Sequence, residues 1–266
     1  MTRDIPLANL ERLTSGLCGG ELRHPSSESA RLSAALFLSH GTASSTFSSI
    51  CARNELLSQS ELIRMGLRNP APECAEELLG TERFVFFYVA PFRYPNTACG
   101  VLFASALEEE HRHEGVAAPF DTGGLIHVFT RPDPSESPRT FLTRHELPLP
   151  THRAYLALSM DIAFQQAADY IEGRDPSLAS PLGITGGDAR RWTHEVRIPE
   201  RVSLQTRHLQ AVFAPRARVR ASQPVKDLFQ WCLANGVDTV MFDTPSGDEF
   251  ETLRNECLGY IRRKLY

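Results

Sequence analysis

The chain has 266 residues, of which 42% are hydrophobic and 23% charged, and its formal net charge is −4. These values are ordinary for a globular protein and argue against wholesale disorder. The small negative charge excludes a strong overall attraction to nucleic acid or acidic lipid. Only Lys226 and Lys264 are lysines among the 28 basic residues. Because neither lysine follows a glycine-rich loop, a Walker-type phosphate site is excluded, and a Schiff-base mechanism is disfavoured.

Cysteine usage and the start of the chain bear on the compartment. Six cysteines are scattered without a CxxC pair, which gives no support to a zinc ribbon or a disulfide scaffold. The first residues lack the apolar segment of a secretory signal, and no apolar run approaches the roughly 20 residues that span a bilayer. We therefore expect a reduced, cytoplasmic protein with no membrane partner.

The first half of the chain predicts a mixture of strands and helices. An apolar run over 31–39 predicts a strand that ends at His40. Ser44 or Ser45 is placed to cap a helix over 46–57, and a short helix is predicted over 59–66. Aromatic and β-branched residues then predict three strands, at 83–92, 99–105 and 124–130.

The second half begins with a proline-rich segment, 132–150, which predicts a loop, and the spacing of apolar residues then predicts a helix over 151–173. After a loop over 174–190 come two strand-like pieces, 194–204 and 208–215. The tail predicts helix, strand and helix at 224–236, 237–243 and 247–265. Because strands and helices do not alternate regularly, the pattern favours an α+β fold. We expect one domain over 1–266, with an N-terminal extension (1–30), a core (31–220) and a helix–strand–helix tail (221–266).

Two segments place hydrogen-bonding groups where a ligand could bind. His40-Gly41-Thr42 lies between a predicted strand and a helix, and its glycine would allow another group to approach the backbone. A simple turn with a helix cap is the alternative.

The stretch from Phe84 to Phe103 is unusually aromatic, and most of its rings are expected in the core. Tyr88 and Tyr94 are the candidates for contact with a planar ligand, because each also has a polar end.

A third candidate is Glu195, at the start of a strand of β-branched residues, where a carboxylate could be held near a developing cation. An exposed charge on an alternating strand is the alternative.

His111 and His113, beside acidic residues, are a weak metal pattern, and we predict no metal. A cysteine hydrolase built on Cys51 or Cys99 is a further alternative, although no local signature selects a partner histidine.

Taken in order, His40-Gly41-Thr42, the aromatic strand with its segment 100–105, and the late Glu195 resemble the ADP-ribosyltransferase fold, in particular its DarT-like and diphtheria-toxin-like branches. The resemblance spans roughly 32–215. It implies a split, mixed sheet with surrounding helices. The chain departs from the pattern at Leu102, where related enzymes often have tyrosine, and no Glu-x-Glu or Gln-x-Glu signature precedes the late strand.

The resemblance also implies NAD⁺ as the substrate and assigns roles to residues. Glu195 would stabilise the oxocarbenium-like state formed when the glycosidic bond breaks. His40 would hold a ribose, and Gly41 and Thr42 would position the nicotinamide amide. The remaining implied site residues are a stacking tyrosine (Tyr88 or Tyr94), Ser105 in the middle segment, and one arginine for the pyrophosphate or for charge stabilisation (Arg64, Arg68 or Arg83).

The acceptor of ADP-ribose is left open between nucleic acid and protein, and a role as a toxin or defence effector follows from the resemblance alone. Eight arginines lie between positions 189 and 220, against two acidic residues. Such a run could follow a nucleic-acid backbone or form a solvated face. Two other functions stay open: an NAD⁺ glycohydrolase, with water as acceptor, and a non-catalytic domain that binds a nucleotide-like ligand or a partner.

Overall fold

A central sheet organises the structure, a computed structural model that describes residues 7–18, 24–70, 74–94, 96–176, 182–244 and 248–266. In these residues the sheet has eight strands in the order β10-β9-β4-β1-β3-β7-β5-β6. Neighbours are antiparallel except β9 and β10, which run parallel. The strands are β1 (Leu38–Thr42), β3 (Phe84–Tyr88), β4 (Cys99–Phe103), β5 (Val116–Ala118), β6 (Leu147–Pro148), β7 (Glu195–Pro199), β9 (Leu209–Pro215) and β10 (Asp238–Phe242). A separate antiparallel pair consists of β2 (Glu55–Leu57) and β8 (Arg201–Ser203). The predicted α+β class with a mixed sheet is confirmed.

Helices surround this sheet. They are α1 (Leu7–Cys18), α2 (Ser27–Ala35), α3 (Ser44–Arg53), α4 (Gln59–Arg64), α5 (Ala75–Leu79), α6 (Ala106–Glu110), α7 (Gly124–His127), α8 (Pro138–His145), α9 (Leu149–Ala163), α10 (Ala167–Glu172), α11 (Arg216–Ala221), α12 (Gln223–Ala234) and α13 (Glu249–Leu265). A 3₁₀ turn covers Ala189–Trp192. Among the described helices, none has the length and apolar character needed to cross a membrane.

The core lies along the central strands. Every residue of β4 is buried, which explains why its sequence is almost wholly apolar rather than alternating. Phe87 of β3 packs edge-on against Phe103 of β4, with ring centroids 5.6 Å apart. Full burial of such a side chain contributes about 1.5–3 kcal/mol. The strands that carry the candidate site are therefore anchored in a rigid, apolar centre.

The sheet is split between β1 and β3. β1 pairs with β4 at five successive positions, from Leu38↔Phe103 to Thr42↔Cys99. It pairs with β3 at a single position, Ser39↔Tyr88. Beyond this one position the two strands diverge, and side chains from both border the opening.

Two segments predicted as strands are partly helical. Residues 27–35 form α2, and the following strand begins only at Leu38. The Ser26 side chain accepts a hydrogen bond from the Ser29 amide and caps this helix. Ser29, Leu32 and Ser33 are buried at helical spacing. The burial of this helix face decides the conformation of the segment, although its apolar run also fits a strand.

The second such segment, 124–130, contains the short helix α7. Its chain reverses at once, because the amides of Val128 and Phe129 both donate to the carbonyl of Gly124. The Phe129 ring packs so closely on Gly124 that a Cβ there would lie 2.2 Å from it. This tertiary packing, which no local pattern indicates, replaces the predicted strand.

Several boundaries also differ from the predictions. The helix predicted over 46–57 is α3, which begins at Ser44 after Ala43 and ends at Arg53, so neither Ser44 nor Ser45 caps it through a side chain. The proline-rich segment 132–150 contains α8 and β6, with Pro138 at the start of a helix, where proline is tolerated. Parts of three predicted segments lie outside the described residues: 1–6 and 19–23 of the extension, 177–181 of the loop, and the first position of the last helix, 247.

Candidate active site

A pocket of about 670 Å³ opens where β1 and β3 diverge. The two strands and the start of β7 contribute its inner wall, and the loops around them contribute its rim. Lining residues come from β1 (Ser39, His40, Gly41), β3 (Phe86, Phe87, Tyr88), the following loop (Phe92, Arg93, Tyr94, Asn96, Thr97), the α5 region (Cys74, Ala75, Glu76, Leu79, Thr81), the α7 region (Asp121, Thr122, Gly123, Gly124, His127, Val128), and Arg190 and Glu195. Such a volume is within the usual range for small-molecule sites.

Glu195 is a buried carboxyl group on the inner wall of this pocket. It is the first residue of β7, lies opposite Tyr88 in the sheet register, and is only 2% exposed. The Thr122 hydroxyl donates to its Oε1 at 2.6 Å, and the Thr122 amide donates to Oε2 at 3.3 Å. Burial and, second, the nearby negative charge of Asp121 raise the pKa of Glu195 to about 8. A positively charged group in the pocket would therefore be favoured beside it.

Arg197 lies behind Glu195, two residues along the same strand and on the same face. Its Nε is 3.8 Å from Glu195 Oε1, and its Nη2 donates to Glu146 Oε1 at 2.9 Å. Its side chain is completely buried, with the guanidinium 5.6 Å from the centre of the Phe84 ring. This cation partly opposes the rise in the pKa of Glu195 and supports that carboxyl group from the side away from the pocket.

His40 faces the same pocket from β1. Its Nδ1 lies 2.8 Å from the carbonyl oxygen of Phe86. Since that carbonyl can only accept, the hydrogen sits on Nδ1, and Nε2 is left as an acceptor. Burial lowers the pKa of His40, so the ring is neutral at physiological pH. The site thus offers a neutral imidazole suited to accept a hydrogen bond from a hydroxyl group.

Gly41 permits a close approach next to His40. A Cβ at this position would lie 2.8 Å from Thr97 Cγ2 and 3.2 Å from Phe92 Cδ1. Only glycine fits here, because the Thr97 and Phe92 side chains occupy the space that a Cβ would need. The next residue, Thr42, pairs with Cys99 in the sheet and accepts a backbone hydrogen bond from Ala98; it is outside the set of pocket-lining residues.

The two candidate tyrosines occupy different depths of the pocket. Tyr88 lies on β3 beside Glu195, and its hydroxyl is hydrogen-bonded to Asp121. Burial, first, and the neighbouring carboxyl groups raise the pKa of Tyr88 well above its ordinary value. Tyr94 is at the rim and 49% exposed, with the Arg190 guanidinium 6.0 Å from its ring centre. Tyr88 therefore belongs to the polar inner wall, whereas Tyr94 offers an accessible aromatic face.

The pocket also contains polar residues that sequence reasoning missed. Asp121 is 4% exposed, and its Oδ1 accepts from the Gly123 amide at 3.1 Å. Arg190 Nη1 lies 3.4 Å from Asp121 Oδ2. Arg93 is buried and donates through Nη2 to two carbonyls at the end of α10. The Asp-Thr-Gly-Gly sequence at 121–124 is a turn signal, but nothing in the sequence connects it to Glu195.

The arginines expected in the site lie elsewhere. Arg64 is on α4, where its Nε and Nη2 donate to the Glu61 carboxylate at 2.9 and 2.7 Å. Arg68 is exposed beyond that helix, and the Arg83 guanidinium lies 4.8 Å from the centre of the Phe84 ring. None of the three lines the pocket. Among the described residues, the arginines that do so are Arg93 and Arg190.

Ser105 is also outside the pocket lining. It precedes α6, beyond the end of β4 at which Phe103 pairs with Leu38. The opposite end of the same strand pair, Gly100 with Gly41, borders the pocket. Gly100 is in fact the tightly packed residue of this segment, since a Cβ there would lie 2.3 Å from the Phe92 ring.

The arginine-rich stretch of 189–220 does not form one continuous stripe. Arg190 lines the pocket and Arg197 is buried, whereas Arg201 contacts Glu61 at 2.7 Å. Arg218 and Arg220 lie on α11, which follows β9, and three strands separate β9 from β7 in the sheet.

The structure gives no support to a cysteine nucleophile at the two candidate positions. Burial raises the thiol pKa of Cys51 to about 12 and that of Cys99 to about 11. A reactive cysteine requires the opposite shift. Within the described ranges, no group of three or more histidine, cysteine, aspartate or glutamate side chains is arranged to hold a metal ion.

No known family model and no curated protein matches the chain. Structures of DarT from Thermus sp. 2.9 are similar in fold. The complex with NAD⁺ shares 10% identity, covers 78% of this chain and 95% of that one, and has a TM-score of 0.41. The complex with ADP-ribosylated ssDNA shares 11% sequence identity, and the match covers 78% of this chain and 94% of that one, with a TM-score of 0.44. The complex with carba-NAD⁺ shares 10% sequence identity, and the match covers 78% of this chain and 95% of that one, with a TM-score of 0.38. At these values the likeness identifies neither substrate nor acceptor for this chain.

Proposed function

We propose that the chain is an NAD⁺-dependent ADP-ribosyltransferase and that the pocket holds the nicotinamide end of NAD⁺. One observation carries the proposal: His40, Tyr88 and Glu195, far apart in sequence, line one pocket at the split of the sheet. Had Glu195 pointed to solvent far from His40, no such site would exist. Its burial with a second carboxyl group, Asp121, instead favours a cationic ligand.

The chemistry requires a carboxylate beside the ribose. When the bond between C1′ and the nicotinamide nitrogen breaks, its electron pair goes to the nitrogen, and neutral nicotinamide leaves. Positive charge then develops on the ribose, as in glycoside hydrolysis. Glu195, held by two hydrogen bonds from Thr122, is fixed in place before that charge appears, and the positively charged nicotinamide ring of bound NAD⁺ favours its ionised form. It therefore stabilises the transition state more than the ground state, which is the requirement for catalysis.

Other residues of the pocket bind and orient the substrate. The neutral ring of His40 accepts a hydrogen bond from a ribose hydroxyl through Nε2. The backbone of Gly41, which lines the pocket next to His40, positions the nicotinamide amide. Arg190, which lines the pocket and pairs with Asp121, is the cation that we assign to the pyrophosphate.

For the acceptor, we propose a nucleic acid rather than a protein. The rim presents the exposed ring of Tyr94 with Arg190 beside it. An aromatic face combined with an arginine is the usual platform for an unstacked base. The dispersed arginines of 189–220 are not needed for this interaction, because the base is recognised at the rim itself.

Incubation with NAD⁺ labelled in its adenosine part, together with DNA, RNA and protein in separate reactions, tests the proposal. We expect label on nucleic acid and release of free nicotinamide. Nicotinamide without labelled macromolecule would identify water as the acceptor and the chain as a glycohydrolase. Labelled protein alone would contradict the proposed acceptor. Absence of nicotinamide release in every reaction would refute the enzyme and favour a binding domain.

Tyr94→Ala provides the test of the rim. It should lower labelling of nucleic acid by about 5–150-fold, because base–aromatic stacking is worth about 1–3 kcal/mol per base. Hydrolysis of NAD⁺ by the same variant should change little, since the ring is at the rim. Equal labelling by the variant and the wild type would remove Tyr94 from acceptor binding.

A further inference from the structure

We propose that Asp121 is the general base that takes the proton from the acceptor, an inference that rests on the proposed function of the pocket. Glu195 would then stabilise the cation, and Asp121 would activate the nucleophile.

The position of Asp121 supports this division. It follows β5 on the wall of the pocket, immediately before Thr122, which holds Glu195. The two carboxyl groups are thus linked by adjacent residues of one loop. Asp121 is almost fully buried yet lines the pocket, so its carboxylate is shielded from bulk water while accessible to a bound molecule.

Three charged or titratable groups from three other elements face Asp121. Tyr88 of β3 is hydrogen-bonded to it, Arg190 of the 3₁₀ turn pairs with Oδ2, and Glu195 of β7 carries the neighbouring carboxyl group. Burial raises the pKa of Asp121, and the cation of Arg190 opposes this rise. A base with a raised pKa, held by a cation in its charged form, is better suited to accept a proton than an ordinary aspartate.

Glu195 is less suited to the same task. Both of its oxygens receive hydrogen bonds from Thr122, and Arg197 lies behind it. These interactions fix its orientation toward the ribose. Asp121, in contrast, pairs with the arginine that lies beside Tyr94 at the rim. The acceptor enters from that side, so Asp121 is the carboxylate on its path.

The proposed step balances without any further reactant. The C1′–nitrogen bond of NAD⁺ breaks, and its electron pair leaves with nicotinamide. A lone pair of the acceptor forms the new bond to C1′. The proton of the acceptor O–H or N–H passes to a carboxylate oxygen of Asp121 and then to solvent. The sum is NAD⁺ plus acceptor giving ADP-ribosyl acceptor, nicotinamide and one proton.

Asp121→Asn tests this role, because the amide keeps the shape and one acceptor oxygen but cannot take the proton. Turnover is followed as nicotinamide release with the nucleic acid labelled by the wild type, or with water if none is labelled. General-base catalysis contributes about 10²–10⁴-fold, and we expect a loss in that range. The dissociation constant for NAD⁺ should rise much less than turnover falls, because Glu195 stays in place, and the melting temperature should stay close to that of the wild type.

Asp188→Asn is the matched control. Asp188 binds the same arginine, with its Oδ1 2.9 Å from Arg190 Nε, but is 61% exposed and outside the pocket lining. We expect its turnover to stay within about twofold of the wild type, because exposed ion pairs contribute little.

Chemical rescue separates a base from a merely structural residue. In Asp121→Ala, added formate should restore part of the turnover, since a small carboxylate can occupy the vacated space and take the proton. Failure of formate to raise turnover would overturn the role. So would an Asp121→Asn variant within about threefold of the wild type, or one that loses NAD⁺ binding together with turnover.

These results are distinct from failure of the proposed function. A wild-type chain that releases no nicotinamide with any acceptor refutes the function and the role of Asp121 together. An active wild type with a fully active Asp121→Asn variant refutes only the role of Asp121.

Discussion

Replacing Glu195 by glutamine should make the protein increasingly more stable than the wild type as the pH rises. Wild-type Glu195 is buried beside Asp121, so its charged form is disfavoured in the folded protein. Glutamine has nearly the same shape and no charge. Its carbonyl can accept from the Thr122 amide, and its amide can donate to the Thr122 hydroxyl oxygen, as a protonated glutamate would.

The sign and size follow from the pKa values. An ordinary glutamate loses its proton near 4.5, whereas Glu195 in the folded protein keeps it to about pH 8. Unfolding therefore releases a proton between these two values, and the free energy of unfolding falls as pH rises through this window. A pKa raised from 4.5 to about 8 corresponds to about 5 kcal/mol in total. The glutamine variant lacks this loss, because its side chain does not titrate.

Urea unfolding of both proteins, from about pH 5 to about pH 9, measures the difference directly, because all other titrating groups are common to both. The stability of the variant relative to the wild type should increase by several kcal/mol across the range, most of it below pH 8. Glu109→Gln removes a charge at an exposed position and should change stability by no more than about 0.5 kcal/mol at any pH. Parallel curves for Glu195→Gln and the wild type would refute the inferred environment of this carboxyl group.

Three further predictions concern the packing around the pocket. Gly100→Ala should lower the free energy of unfolding by about 1–3 kcal/mol in chemical denaturation, since its Cβ would lie 2.3 Å from the Phe92 ring. Arg197→Met withdraws the buried cation that pairs with Glu146, and should cost about 3–5 kcal/mol in the same measurement at neutral pH. Gly41→Val forces a side chain against Thr97 and Phe92 on the pocket wall beside His40, and calorimetry should show NAD⁺ binding weakened by about tenfold or more. Unchanged stability, or unchanged affinity for the last variant, would contradict the described packing.

The candidate site was partly predictable because its main residues lie at strand boundaries. His40 ends an apolar run and Glu195 begins one, and both positions are evident from the sequence. Their meeting depends on β3, which lies between β1 and β7 in the sheet. The aromatic composition of this strand predicts that it is buried, and its Tyr88 is opposite both Ser39 and Glu195.

Other parts of the site were not predictable from local patterns. Asp121 and Arg190 are in loops, where no periodicity indicates which side chains meet, and they are 69 positions apart in the chain. The resemblance places the catalytic arginine in the stretch before the aromatic strand, but Arg64 forms a local pair with Glu61, three residues away. Local partners of this kind compete with tertiary roles.

The strand predicted over 31–39 was wrong at 31–35 for a related reason. Leu32 and Leu36 have apolar neighbours along the chain, which an extended segment would also show. The helix forms because Ser26 caps it and because Ser29, Leu32 and Ser33 share one buried face. Buried serines in a helix give no hydrophobic signal, so the periodicity was concealed.

The rate of nicotinamide release from NAD⁺ by the wild type and by Glu195→Gln, measured at equal NAD⁺ occupancy, tests the central claim most directly. We expect release by the wild type and a loss of about 10²-fold or more in the variant, because the carboxylate acts on charge that develops only in the transition state. NAD⁺ should bind both proteins. Equal rates for the two proteins, or no release by the wild type, would contradict the assignment of this pocket as an active site.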